Sequence, residues 1–260
     1  MLTLDKSEIH LWYADQAEFN GKELETLFLH WLNSGEYDRY QRYYFDCHRD
    51  RLLLSRMLIR SVLSRYSDVA PTSWRFHENP HGKPTIDPAQ QNYPLYFNIS
   101  HSGDRIVLAT GRHEFLGIDI ECNDKSRRIL QIANRYFSKD ELEALQVLPA
   151  AQQLTRFYDL WTLKEAYIKA RGLGLSIPLR RCSFDFLAEQ RLSVGFDSEL
   201  ADDPARWQFW QIDTKGSFTL SLASKFEKQK ITKLRAYQLY ESEKWESVDV
   251  SVLRYCSCSS

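Results

Sequence analysis

The sequence predicts an α+β fold made of two similar α+β units, and two observations carry the prediction. In each half of the chain, segments with helical periodicity are followed by several strand-like segments. Between residues 95 and 121, three strand-like segments are separated by turn-forming residues, as in an antiparallel meander. The 260 residues suit one large domain or two small ones. A hydrophobic content of 43% with 13% aromatics gives such a chain a core that needs no metal or disulfide staple.

Glu8 to Ala14 alternates, with Ile9, Leu11 and Tyr13 on one side, and predicts a strand. Residues 22–32 place Leu24, Leu27, Phe28 and Trp31 on one helical face, and Gly35 interrupts the pattern. From Glu36 to Tyr66 there is no Gly or Pro, and Leu54, Met57, Leu58 and Val62 follow a helical spacing. One long helix over 44–66 is expected there. Residues 71–94 are rich in Pro, Asn and Gly and read as loop, with a short strand at Trp74–His77. The meander strands are Leu95–Ser100, Arg105–Thr110 and Leu116–Glu121. The second half opens with a helix over Arg127–Tyr136. Ser138-Lys-Asp-Glu141 is a capping-box pattern, in which hydroxyl and carboxylate each bond a free backbone N–H, and it opens a helix to about Val147. After Pro149 a third helix runs from Ala150 to Ala170, stopped by Gly172 and Gly174. Strands are expected at 182–187, 207–213, 217–223 and 232–240, and the tail from Val248 is left unassigned.

Thirty-four Lys and Arg against thirty-five Asp and Glu rule out a globally basic nucleic-acid binder and an acidic solvating chain. The five cysteines, at 47, 122, 182, 256 and 258, form no regular framework, which suits a reducing compartment. The first ten residues lack the basic-then-apolar pattern of a secretory signal, and no apolar run approaches the roughly eighteen residues of a membrane span. A soluble cytoplasmic protein is the expectation.

Four segments carry chemistry. In Gly117-Ile-Asp-Ile-Glu121, strand alternation turns Asp119 and Glu121 to one side and Ile118 and Ile120 to a core. Paired carboxylates repel, and a hard cation such as Mg²⁺ removes that cost; an acidic solvent face is the other reading. In Trp161-Thr-Leu-Lys164-Glu165-Ala-Tyr-Ile-Lys169, Glu165 and Lys169 lie one helical turn apart, facing either a cleft or solvent as an ordinary ion pair. Phe97-Asn-Ile-Ser100-His101-Ser-Gly103 sets a hydroxyl, an imidazole and a Gly turn at a strand end, a plausible phosphate grip without the spacing of a hydrolase nucleophile. His81-Gly82-Lys83-Pro84 presents a lysine on a turn, as an anion site or as plain surface. Seven arginines (39, 42, 49, 51, 56, 60 and 65) make 36–66 the one basic segment.

Together and in this order, these segments resemble the Sfp-type (surfactin-synthetase-activating) 4′-phosphopantetheinyl transferases, over roughly residues 36–186. The resemblance implies two α+β halves related by a pseudo-twofold axis, 1–112 and 113–260, with coenzyme A in the cleft between them. The first half would contact the nucleotide and 3′-phosphate; the second would carry the Mg²⁺ site, the catalytic helix and the carrier-docking surface. The implied reaction moves the phosphopantetheine arm of coenzyme A onto a serine of an apo acyl, aryl or peptidyl carrier protein. By motif, Asp119, Glu121 and Glu165 would hold Mg²⁺, with Glu165 as ligand, general base or both. Lys169 would contact the phosphates or orient the serine. Ser100, His101 and Lys164 would contact phosphate, Lys83 would sit near the adenosine end, and Arg39 and Arg51 would take the 3′-phosphate, with Arg42 as a weaker alternative. Residues 122–137 would dock an acidic carrier through Lys125, Arg127 and Arg128, with Ile129, Ile132 and Tyr136 as apolar contacts or as a buried stripe. A monomer is expected, with no nucleic acid and no membrane as partner. The competing classes are a non-catalytic relative that holds carriers or nucleotides, and a nucleic-acid binder using the arginine-rich helix.

Overall fold

The computed structural model describes residues 1–124, 128–187, 190–226, 230–241 and 244–257. Lys125, Arg127 and Cys258 lie outside the described residues. The first half comprises β1 (Glu8–Asp15), α1 (Gly21–Phe28), α2 (Ser34–Arg42), α3 (Asp46–Ser64), β2 (Phe76–Glu78), β3 (Pro84–Ile86), β4 (Tyr96–Ser102) and β5 (Arg105–Gly111). There follow β6 (Leu116–Cys122), α4 (Ile129–Tyr136), α5 (Lys139–Val147), α6 (Ala150–Arg171), β7 (Cys182–Phe186) and β8 (Leu192–Phe196). The chain closes with β9 (Trp207–Ile212), β10 (Phe218–Lys225), β11 (Lys233–Tyr240), β12 (Lys244–Val248) and β13 (Val252–Ser257).

The fold is α+β, with two main sheets. The first runs β12-β11-β1-β5-β4 and the second β13-β9-β10-β6. All pairings within them are antiparallel except β1 with β11. α3 packs on the first sheet through Leu54, Met57, Leu58 and Val62, against Trp12, Phe97 and Leu108. α6 packs on the second through Leu163, Ala166 and Tyr167, against Trp207 and Phe209. A third apolar cluster joins the sheets: Ile9, Leu11, Val107 and Ala109 from the first, Ile118, Ile120, Leu220 and Leu222 from the second. Both faces of β1 and β5 are therefore buried.

Three expectations need correction. β4, β5 and β6 do not form a meander: β6 pairs with β10, about a hundred residues later. Its other edge faces β4, and side chains bridge the gap. Asn98 Oδ1, Ser100 Oγ and Ser102 Oγ accept the backbone N–H groups of Ile118, Ile120 and Cys122 at 2.8, 3.3 and 3.0 Å. Second, the basic segment holds two helices. Asn33 and Glu36 form a capping box that starts α2, with Gly35 inside its first turn, and the chain turns extended at Tyr43 before α3 begins. Third, in the tail left unassigned, residues 252–257 form β13 on β9, with Cys256 buried. β11 and β12 lie in the first sheet, although their chain position puts them in the expected second half. Among the described residues no helix is long and apolar enough to cross a membrane.

Candidate active site

Gly117 sets the geometry of the site. A Cβ there would fall 2.0 Å from Ala166 O and 2.3 Å from Ala170 N, so the backbones of β6 and α6 lie flush. That contact sets the acids of β6 beside the charged turn of α6. Asp119 is 5% exposed; its Oδ1 accepts from Ser100 Oγ at 3.0 Å and Lys169 Nζ at 2.7 Å. Its Oδ2 is buried without a hydrogen-bond partner. Glu121 Oε2 accepts from Ser102 Oγ at 3.1 Å. Glu165 is half-buried; loss of hydration, then the Asp119 charge, with a smaller push from Glu121, raises its carboxyl to about 7 against the pull of Lys169.

These groups line one side of a cavity of about 630 Å³. Arg39 and Tyr43, from α2 and its C-terminal end, and His48, Arg51, Ser55 and Arg56 from α3 line the other, with His101 and Trp161 also at its wall. Arg39 donates to Tyr43 OH at 3.0 Å, and Arg51 to Gln16 Oε1 at 3.2 Å. Gln16 is itself anchored on Cys47 O at 2.8 Å, so β1's end helps aim Arg51. Arg56 pairs with Glu36 at 2.7 Å. Loss of hydration, then Arg51 and Lys169, holds the His101 imidazole below the ordinary histidine range.

The structure thus brings Arg39, Arg51, Ser100, His101, Asp119, Glu121, Glu165 and Lys169 to one cavity. It does not bring Lys164 there. Lys164 is fully buried, and its ammonium donates to Glu141 Oε2 at 2.8 Å, to Leu179 O at 2.9 Å and to Cys182 O. Adjacent helical residues point about 100° apart, and this one points into the second half's core. Lys83 is also turned inward, with Nζ on Leu116 O at 3.2 Å and Ala170 O at 2.9 Å. Burial lowers its ammonium to about 8. Ser100 faces the cavity, but its hydroxyl is engaged by Asp119, Lys169 and Ile120 N, so it holds other site residues in place. Arg42 donates to Asp38 O and does not line the cavity. Sequence reading missed His48, Ser55 and Arg56 as wall residues, although 48, 51, 52, 55 and 56 share one face of α3.

Among the described residues, no three His, Cys, Asp or Glu side chains form a ready metal cage. The residues still fit a hard cation. Asp119 Oδ2 lacks a partner, and the Asp119 and Glu121 charges disfavour ionised Glu165. A divalent ion beside all three would relieve both costs. Arg128, just before α4, is exposed and Leu130 on it is 40% exposed, while Ile129, Ile132 and Tyr136 pack against the second half's core.

Comparison with known proteins agrees with this geometry. Residues 115–223 match the 4′-phosphopantetheinyl transferase superfamily, and residues 17–113 match the 4′-phosphopantetheinyl transferase N-terminal family. The chain is 36% identical over 177 residues to the 4′-phosphopantetheinyl transferase HetI of Nostoc sp., covering 67% of this chain and 73% of that protein. It is 34% identical over 193 residues to the 4′-phosphopantetheinyl transferase Sfp of Bacillus subtilis, covering 74% and 82%. Another Bacillus subtilis 4′-phosphopantetheinyl transferase is 38% identical over 175 residues, covering 63% and 75%. With acids on one wall of its cleft and arginines on the other, the chain belongs to the 4′-phosphopantetheinyl transferase family.

Proposed function

We propose that this protein is an enzyme that transfers 4′-phosphopantetheine from coenzyme A to a serine hydroxyl of an apo acyl, aryl or peptidyl carrier protein. The observation that carries the reading is the division of charge across one cavity: Asp119, Glu121 and Glu165 on one side, Arg39, Arg51 and Arg56 on the other. A polyanion lying across such a cleft meets cations along its phosphates and acids where its diphosphate must be neutralised by an added cation. Asp119, Glu121 and Glu165 would hold Mg²⁺, which would supply that neutralising charge.

Arg39 and Arg51 bind the 3′-phosphate, each with a guanidinium suited to bidentate contact. His101 contacts phosphate from the end of β4. Glu165 takes the serine proton from its place on the cavity wall beside Asp119 and Lys169. Lys169, which donates to Asp119 Oδ1, supplies positive charge beside the diphosphate. The serine oxygen bonds to the β-phosphorus as the bond from that phosphorus to the bridging oxygen breaks. The bridging oxygen departs with adenosine 3′,5′-bisphosphate.

The test is direct. The protein, coenzyme A and Mg²⁺ are incubated with apo acyl, aryl and peptidyl carriers, and each carrier is weighed by mass spectrometry. One phosphopantetheine arm should be added, and chelation of divalent ions should stop it. Glu165→Gln should bind coenzyme A yet lose turnover by roughly a hundredfold or more. No mass gain on any carrier would refute the reading.

A further inference from the structure

We infer that Lys83 and Asn79 form a latch from the first half that positions the catalytic helix α6 against β6. The hairpin β2–β3 contacts the end of α6 and the start of β6, and its tip is fixed by hydrogen bonds within itself. Asn79 Oδ1 accepts from His81 N and Lys83 N, both at 2.9 Å, Asn79 N donates to Lys83 O at 3.0 Å, and Gly82 takes φ +83° to close the turn. Two side chains leave this rigid tip. Asn79 Nδ2 donates to Gly172 O at 2.6 Å, just past the end of α6. Lys83 Nζ donates to Ala170 O at 2.9 Å in the last turn of α6 and to Leu116 O at 3.2 Å at the start of β6.

Those two carbonyls belong to the two elements that carry the site. Ala170 follows Lys169 directly and lies just over a turn past Glu165. Leu116 lies three residues before Asp119. One ammonium therefore ties together the strand of the β6 acids and the helix of Glu165 and Lys169, at the end where the backbones lie flush at Gly117. The carbonyls of a helix C-terminus carry partial negative charge, so a cation is the fitting donor there. The contact is close: a Cβ on Gly172 would stand 3.0 Å from both Asn79 Nδ2 and Lys83 Cδ. The neighbouring faces of the same hairpin, Phe76, Glu78 and Pro84, line a second cavity with Arg39 and Arg56. The hairpin that carries the latch thus also borders Arg39 and Arg56. Lys83 is a positioning residue in this scheme and touches neither phosphate nor serine.

The inference rests on the transferase reading, so the test separates the two. Full-length wild type, Lys83→Met and Asn79→Ala are compared by hydrogen–deuterium exchange and by steady-state kinetics with coenzyme A and an apo carrier. Amides of residues 168–172 and 116–118 should exchange at least tenfold faster in Lys83→Met, with those of β1 unchanged. Turnover at saturating coenzyme A should fall roughly ten- to hundredfold, the loss expected from about an ångström of misplacement, with KM for coenzyme A within threefold. Asn79→Ala should show the same pattern to a smaller degree, and decides the matter if Lys83→Met does not fold. Unchanged or uniformly faster exchange overturns the latch, as does a loss confined to KM, which would make Lys83 a ligand contact. If the wild type modifies no carrier, the transferase reading falls and the exchange pattern alone decides the latch.

Discussion

Replacing Gly117 with Ala should damage stability and turnover together. The added Cβ would sit 2.0 Å from Ala166 O, a full ångström inside the 3.0 Å below which real Cβ contacts essentially never fall, and 2.3 Å from Ala170 N. Both obstacles are backbone of α6, so no side-chain rotation relieves them. The helix must back away by about an ångström, which opens the interface of Ala166 and Ala170 with β6. Overpacking of this kind costs about 3 kcal/mol, which lowers the Tm of a chain this size by roughly 6–12 °C. The same displacement separates Glu165 and Lys169 from Asp119 and Glu121, and kcat should fall about a hundredfold. Circular dichroism gives the Tm, and turnover is read well below both melting temperatures. Gly216→Ala is the control, since a Cβ there meets nothing within 4 Å. A Gly117→Ala protein with Tm within about 2 °C and kcat within about twofold of wild type would refute the reasoning.

Lys164→Met strands the buried Glu141 carboxylate, so denaturant unfolding should show a loss of about 3–5 kcal/mol. KM for coenzyme A should stay unchanged in that variant; a KM effect without destabilisation would return Lys164 to the cleft. Arg51→Ala should raise KM for coenzyme A roughly ten- to hundredfold while leaving KM for 3′-dephospho-coenzyme A unchanged. Burial holds His10 below 6.5 despite its neighbour Glu8, so the folded state binds that proton less readily than the unfolded chain does. Its contribution is therefore full above pH 6.5 and lost as pH falls through the lowered folded value. Thermal melts across that range should show wild type losing stability relative to His10→Gln on acidification, and parallel curves would contradict the assignment.

Local patterns were legible in the sequence wherever one element decided them. The alternation of Gly117–Glu121 placed Ile118 and Ile120 in a core and turned Asp119 and Glu121 to the other side, as observed. The Ser138–Glu141 capping box and the Gly172 stop bound their helices as expected. What was hidden depends on partners distant in the chain. Lys164 and Glu165 are neighbours, and only the position of Glu141 in space decides which one enters the core. The meander failed because the strand beside β4 is joined to it by side chains, a pairing that alternation does not encode. The face of α3 holding His48 and Arg56 adjoins its apolar stripe, and sequence alone does not separate a charged face lining a cavity from one in solvent.

β11, from residues 233–240, lies parallel along β1, the first strand of the chain. One edge of β1 therefore stays open on the ribosome until residues 233–240 have emerged. Residues 1–112 expressed alone would bare that ladder of amides and carbonyls to other chains, and such a fragment should aggregate. β1 is thus synthesised long before the strand that completes its pairing.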